Sequence, residues 1–286
     1  MKILVTGENG QLGSEINKIS PKYNYNWVFT GHENFDLSDL KNINVSLDTI
    51  NPNLIINCAA FTSVNNAEDD FESANILNHM SVKFIAKWCN YNNCRLIHIS
   101  TDYVYNENLE TPINEDAPTN PINNYGKTKL LGDIACSIMN PDSIIIRTSW
   151  LYSSFGNNFV KKMINLMQQK KQLNVINDQI GSPTYAADLA QVILDIININ
   201  HWKPGIYNYT NKAKISWYDL ANDIKVIYGF NNIIINPISS KDYLAKAKRP
   251  KYSLLDKTKI KNTFNITLIP YKDSLRKCIR ILKNEK

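Results

Sequence analysis

Tyr125-Gly-Lys-Thr-Lys129 places a phenol and an ammonium four residues apart, on one face of any helix that contains them. An ammonium beside a phenol favours the phenolate and lowers its pKa. Tyr125 can then give a proton to a carbonyl oxygen as that carbonyl is reduced. Lys129 is its electrostatic partner and can also hold a ribose. Upstream, Ser100-Thr101-Asp102-Tyr103-Val104-Tyr105 ends an apolar run. A hydroxyl at Thr101 can bond the same substrate oxygen as the tyrosine. The alternative for Ser100 and Thr101 is simple capping of backbone at a strand end. Gly7-Glu-Asn-Gly10-Gln-Leu-Gly13 is a GxxGxxG turn after the first apolar run. Its glycines let the backbone approach a pyrophosphate seated on a helix N-terminus. The alternative is a tight turn without ligand.

The elements that must position these residues alternate in type. Short β-rich runs at 3–6, 27–30, 54–57, 96–100 and 144–147 are separated by helical patterns, including 39–50, 71–91 and 125–139. Such alternation predicts an α/β fold, a Rossmann-type doubly wound parallel sheet covered on both faces. Ligands of such sheets bind at the carboxyl ends of the strands. The glycine turn, Thr101 and Trp150 all follow such ends. After Trp150 the pattern loosens into helices at 158–170 and 186–197, a loop at 178–184, a strand at 205–209 and a helix from Ser216. The expected division is a cofactor-binding domain over 1–150 and a smaller substrate lobe over 151–286. Some segments of that lobe are expected to return to the sheet.

The second strand ends Thr30-Gly31-His32, with no carboxylate at its tip, although Glu33 is close. An acid there would bind a ribose 2′-hydroxyl and repel a 2′-phosphate. Its absence permits NADPH. His32 has two readings, a phosphate contact or a surface-loop histidine. Asp36 either flanks an adenosine with Leu37 or caps the next helix.

Taken together, the glycine turn, the strand-end hydroxyl and YxxxK resemble the extended short-chain dehydrogenase/reductase superfamily. More specific strings narrow the resemblance to the dTDP-4-dehydrorhamnose reductase family. They are Asn57-Cys-Ala-Ala60-Phe-Thr62-Ser-Val64, Ser100–Tyr105, Asn124–Lys129, Arg147-Thr-Ser-Trp150, Asp178-Gln-Ile-Gly-Ser-Pro-Thr184, Ser216-Trp217 and Arg249-Pro250. They occur in the family's order.

The resemblance implies reduction of the C4 ketone of dTDP-4-dehydro-L-rhamnose with NADPH or NADH, in nucleotide-sugar and surface-polysaccharide synthesis. It implies Thr101, Tyr125 and Lys129 as the catalytic set. Gly7, Gly10, Gln11, Leu12 and Gly13 would hold the pyrophosphate. His32, Asp36 and Leu37 would lie by the adenosine, with Ala59, Ala60 and Thr62 beside the nicotinamide. Val64, Asp102, Tyr103, Trp150 and Arg249 would touch the sugar nucleotide. Glu15 matches an acid that joins a Mg²⁺ site at a dimer interface in some relatives. One acid does not make an oxygen-rich site, and the residue reading of Glu15 is a solvent-facing helix position.

Composition supplies the exclusions. The chain has 286 residues, 43% hydrophobic and 20% charged, enough for a large core and unlike a disordered chain. No apolar run reaches the ~20 residues of a membrane span. The N-terminus does not read as a signal peptide. Five cysteines without a CxxC pair argue against a disulfide framework or a zinc site and for a cytoplasmic setting. The net charge of +6 is scattered, so no nucleic-acid partner is expected. His79 and His98 read as structural. The expected partner is a dTDP-sugar, the chain itself being a monomer or homodimer. Two other readings stay open: a reductase of a different NDP-4-keto-6-deoxy sugar, and a non-catalytic NADP-binding regulatory subunit.

Overall fold

The computed structural model describes residues 1–106, 111–199, 201–243 and 245–284. In chain order the first half runs β1 (Lys2–Thr6), α1 (Gln11–Ile19), β2 (Asn26–Thr30), α2 (Ile43–Ile50), β3 (Leu54–Asn57), α3 (Phe71–Asn75), α4 (Ser81–Tyr91), β4 (Arg95–Thr101), α5 (Asn124–Met139) and β5 (Ile144–Thr148). The second half runs β6 (Leu151–Tyr152), α6 (Phe159–Gln169), β7 (Gln172–Ile176), β8 (Ile180–Gly181), β9 (Thr184–Tyr185), α7 (Ala186–Asn198), β10 (Gly205–Asn208), β11 (Ile215–Ser216), α8 (Trp217–Tyr228), β12 (Ile234–Ile238), α9 (Thr258–Phe264) and α10 (Tyr271–Asn284).

Six strands form one parallel sheet in the order β10-β5-β4-β3-β1-β2. Alternation decides which side chain meets which helix layer. Ile3, Val5, Ile56, Ile97, Ile144 and Ile146 face one layer, with Leu12 and Ile16 of α1 and Leu189 and Ile193 of α7. Leu4, Ile55, Leu96 and Ile145 face the other, with Ile43 and Leu47 of α2, Val82 and Ile85 of α4 and Cys136 of α5. The expected doubly wound sheet is therefore present. β10, from the second half, closes the β5 edge.

Much of the second half builds a separate apolar cluster, whereas Ile260 and Phe264 of α9 pack with the sheet. Val160 and Ile164 of α6, Leu220 and Ile224 of α8 and Leu275 and Ile279 of α10 pack around the β7–β12 pair. The stretch 178–184, expected as a loop, contains the two-residue strand β8, and Thr184 opens β9. β8 pairs with β11, and β9 with β6.

Two elements differ from expectation in ways that bear on the site. The helix expected over 39–50 starts only at Ile43, with Asn42 at its N-cap. The long helix expected over 71–91 is interrupted by a π-helical turn, Ile76–Met80. Side-chain periodicity does not register one extra residue per turn, whereas tertiary bonding does. The π turn buries Asn78, whose Oδ1 accepts from Phe61 N (2.9 Å) and whose Nδ2 donates to Phe61 O (3.1 Å). That clasp holds the loop after β3. Gly132 of α5 lies so close that a Cβ there would stand 2.0 Å from the Asn78 carbonyl oxygen. None of the described helices is long and apolar enough to cross a membrane.

Candidate active site

A cleft of about 890 Å³ opens above the carboxyl ends of β1, β3, β4 and β5. Its floor begins at the glycine turn. Gly7 has φ +71°, and a Cβ on it would stand 2.8 Å from Ala59 N. The first turn of α1 carries no side-chain cap at Gly10, so its amides remain available to an anion. Gly7, Gly10, Gln11 and Leu12 line the cleft. Gly13 does not. Its Cβ would stand 2.2 Å from Gly7 O, so its role is to let helix and turn touch. This backbone cradle fits a pyrophosphate, since only hydrogen occupies the space that side chains would fill.

At one end of the cleft lie Gly31, His32, Asp36 and Leu37. His32 Nδ1 stands 3.1 Å from Asp36 Oδ1, and the His32 side chain is 81% exposed. Asp36 accepts from Ser38 N (2.8 Å) and Ser38 Oγ (2.7 Å), and the serine hydroxyl leads in holding its carboxyl below the usual range. The alternative of Asp36 capping the next helix is excluded, because α2 begins six residues beyond it at its own cap, Asn42. Along the middle wall stand Ala59, Ala60, Thr62 and Val64.

The far wall brings together Thr101, Asp102, Tyr103, Tyr125 and Lys129. Asn123 accepts from Gly126 N (2.7 Å) and starts α5, which fixes the direction of Tyr125 and Lys129. Tyr103 and Tyr125 pack edge to face at 5.7 Å. Thr101 Oγ1 donates to Asp102 Oδ1 (3.1 Å) and accepts from Tyr103 N (3.3 Å). Lys129 is buried, and its Nζ donates to Ile99 O (2.7 Å). Burial lowers Lys129 to about 8, with Asp133 the leading opposing influence.

One expectation fails at this point. Tyr125 is shifted upward, not downward: burial dominates, the Thr101 hydroxyl opposes it, and Asp102 and Asp133 add to the rise. The Lys129 ammonium is engaged with the Ile99 carbonyl instead. Tyr125 is thus held as a phenol, the form a proton donor needs. Burial also raises Tyr103, with the Asp102 carboxylate adding to it and the Arg249 charge opposing it.

Two further placements correct the sequence reading. Arg249 does not line the cleft, although its charge reaches Tyr103. Glu15 is buried rather than solvent-facing, and its Oε1 accepts from Ser153 Oγ (2.6 Å). The segment after β6 folds across α1 and covers that helix face. Among the described residues no cluster of three His, Cys, Asp or Glu side chains is placed to hold a metal ion.

Trp150 sits in the left-handed region (φ +47°). Its ring stacks on Trp217 at 3.7 Å and 14°, and Gly181 leaves room for it, since a Cβ there would stand 2.8 Å from the indole. Trp217, Ser149, Leu151, Gly156 and Asn157 also line the cleft without having been assigned there. Trp217 carried a signal, its place in the Ser216-Trp217 string. Asn158 joins the halves by donating to Gln11 Oε1 (3.0 Å).

A family model described as "RmlD substrate binding domain" matches residues 1–284. The chain is 37% identical to a dTDP-4-dehydrorhamnose reductase from Aggregatibacter actinomycetemcomitans, over 93% of this chain and 94% of that one. It is 34% identical to a dTDP-4-keto-6-deoxy-D-glucose reductase from Streptomyces niveus, over 88% and 87%. Among solved structures it is similar to a dTDP-4-dehydrorhamnose reductase from Bacillus anthracis in complex with NADP. That match has a TM-score of 0.92 and 32% identity, covering 98% and 99% of the two chains.

Proposed function

The chain belongs to the RmlD substrate-binding-domain family, and from that premise we propose that it reduces the C4 ketone of dTDP-4-dehydro-L-rhamnose to give dTDP-L-rhamnose. It is an NAD(P)H-dependent oxidoreductase acting in nucleotide-sugar synthesis. The observation that carries the reading is the convergence of Tyr125, Thr101 and Lys129 on the cleft that begins at the glycine cradle.

The nicotinamide cofactor, when bound, supplies the hydride. Gly7, Gly10, Gln11 and Leu12 hold its pyrophosphate, His32, Asp36 and Leu37 its adenosine, and Ala59, Ala60 and Thr62 its nicotinamide side. Tyr125, kept protonated by burial, gives its proton to the substrate oxygen as negative charge develops there. Lys129, lowered by burial to about 8, keeps an ammonium on the same helix face as Tyr125, and we assign it to stabilise the phenolate left behind. Thr101 fixes the direction of that exchange through its bond to Asp102. Val64, Asp102, Tyr103 and Trp150 form the wall for the sugar nucleotide, and Arg249 acts on it through Tyr103. On this division residues 1–150 serve the cofactor and 151–286 the substrate. The expected setting is the cytoplasm, and the expected state a monomer or homodimer.

The test is oxidation of NADPH and of NADH with dTDP-4-dehydro-L-rhamnose generated in the same tube, against a control without the sugar nucleotide. Substrate-dependent oxidation is expected. Tight NADPH binding with no oxidation would reject this substrate. The similarity to the Streptomyces niveus enzyme makes other dTDP-4-keto-6-deoxy sugars the next panel. Turnover with none of them would leave a non-catalytic NADP-binding subunit.

A further inference from the structure

Leu4, Ile55 and Leu96 pair residue to residue across β1, β3 and β4. Two positions on, the same register joins Thr6, Asn57 and His98, on the same face of the sheet. An aliphatic row is therefore followed by a polar one, and all three of its members are buried. Buried polar groups are costly unless bonded. These bond to one another. Ala59 N donates to Thr6 Oγ1 (3.3 Å), and Thr6 Oγ1 donates to Asn57 Oδ1 (2.6 Å). The amide oxygen of Asn57 therefore faces Thr6, which turns its Nδ2 toward His98 Nδ1, 3.2 Å away.

Nδ2 has only hydrogens to offer, so His98 Nδ1 accepts. A neutral imidazole that accepts at Nδ1 carries its hydrogen on Nε2. Nε2 stands 3.5 Å from Lys129 Nζ, whose other bond is donated to Ile99 O. An N–H aimed at Nζ suits an amine, which has a lone pair to receive it, and opposes an ammonium, which has none.

We propose that His98 is a positioning residue for the reaction: oriented by Thr6 and Asn57, it directs its Nε2–H at Lys129 and stabilises the neutral amine of that lysine. The proposal rests on reading Lys129 as the partner of Tyr125. When an N–H bond of the Lys129 ammonium breaks and its proton passes to water in the cleft that Lys129 lines, the neutral amine is left. The resulting amine accepts from His98 until solvent reprotonates it. Without the row, that amine would sit buried with no donor to receive.

Burial and the Lys129 charge both hold His98 well below the usual histidine range, which keeps it neutral. The other groups facing Lys129 are Asp133 and Cys136 on α5 and Cys58 after β3, all of which favour the ammonium. Tyr125 stands on the same helix face. Asp133 is itself held by Arg147 of β5 (2.9 Å). The His98 N–H thus acts with burial and against Asp133.

Two measurements test this. The first is the tautomer of His98 by ¹⁵N NMR of the native protein, assigned by loss of the signal in His98→Phe. The expected result is the Nε2–H form throughout neutral pH. An Nδ1–H form would overturn the proposal, since Nε2 would then accept from the ammonium. The second is the pH profile of kcat for the native enzyme, His98→Phe and Asn57→Asp. Removing the N–H, or turning it round with a carboxylate at 57, should move the alkaline limb upward by about one pH unit. An unmoved or lowered limb in a variant that still binds NADPH would overturn it. If the native enzyme turns over no substrate, the functional reading fails, and the tautomer measurement still decides the row.

Discussion

The hydroxyl of Thr101 donates to Oδ1 of Asp102, its neighbour in sequence, at 3.1 Å. The same hydroxyl acts on Tyr125, which it lowers against burial, so Thr101 links the carboxyl of Asp102 to the phenol that serves as donor to a substrate oxygen. Asp102 is buried, and burial raises it to about 7 against the pull of the Ser253 and Thr101 hydroxyls.

The shift at Asp102 makes a prediction about stability. Its folded-state value lies above the unfolded value of 3.8, so the folded protein holds the proton more tightly. Its contribution to stability therefore falls as pH rises from about 4 through about 7. Asp102→Asn removes this dependence. Urea unfolding of parent and variant at pH 5 and pH 8 should show the variant gaining on the parent at the higher pH. The gain between these two pH values is about 2–3 kcal/mol at 1.36 kcal/mol per pH unit. An equal difference at both pH values would contradict the assignment.

Removing the acid should separate binding from chemistry. Tyr125→Phe is expected to lower kcat by about 10²- to 10⁴-fold while NADPH binding stays within about threefold, because the ring and its edge contact with Tyr103 remain. Stopped turnover assays and fluorescence titration of NADPH read the two effects. Near-native kcat would remove Tyr125 from its role.

The tryptophan stack predicts the reverse separation, between substrate and cofactor. Trp217→Ala takes away the ring that holds Trp150 in its left-handed conformation. A stacking term of about 0.5–1.5 kcal/mol corresponds to a rise of about 2- to 10-fold in KM for the sugar nucleotide. The dissociation constant of NADPH should not move. A parallel rise in both would place the stack in general lobe stability instead.

Gly13→Ala tests the turn without touching the cleft. The added methyl would stand 2.2 Å from Gly7 O and 2.8 Å from Glu8 Cα, both backbone atoms that cannot step aside. A loss of about 1–3 kcal/mol of stability is expected, with NADPH affinity weakened at least about tenfold as the cradle opens. Thermal melts and cofactor titration report each. A variant as stable as the parent would show that helix and turn can part without cost.

What was legible in the sequence was whatever a local period encodes. The succession of apolar runs at 3–6, 54–57 and 96–100 with helical patterns between them carries the parallel sheet, and the four-residue spacing carries Tyr125 and Lys129 to one side of α5. What was not legible depends on contacts far along the chain. Glu15 looks like a surface position within its own nine-residue helix and is buried by Ser153, 138 residues later. His98 reads as core from its strand, and its bonding to Asn57 appears only once register is known. The downward shift expected for Tyr125 came from spacing alone, which ignores burial and the carbonyl that occupies Lys129.

The edge strand β10 has a consequence for how the molecule is made. Residues 205–208 complete the sheet beside β5, and α7, which precedes them, covers Ile3, Val5, Ile56 and Ile97. A growing chain that has emerged only as far as β5 therefore carries an open hydrogen-bonding edge and a bare aliphatic face, the features that invite mispairing. Residues 1–150 by themselves lack one edge strand and one covering helix of the sheet. Its last strand is translated some sixty residues after β5, so the nascent protein must wait for its second half before its first is finished.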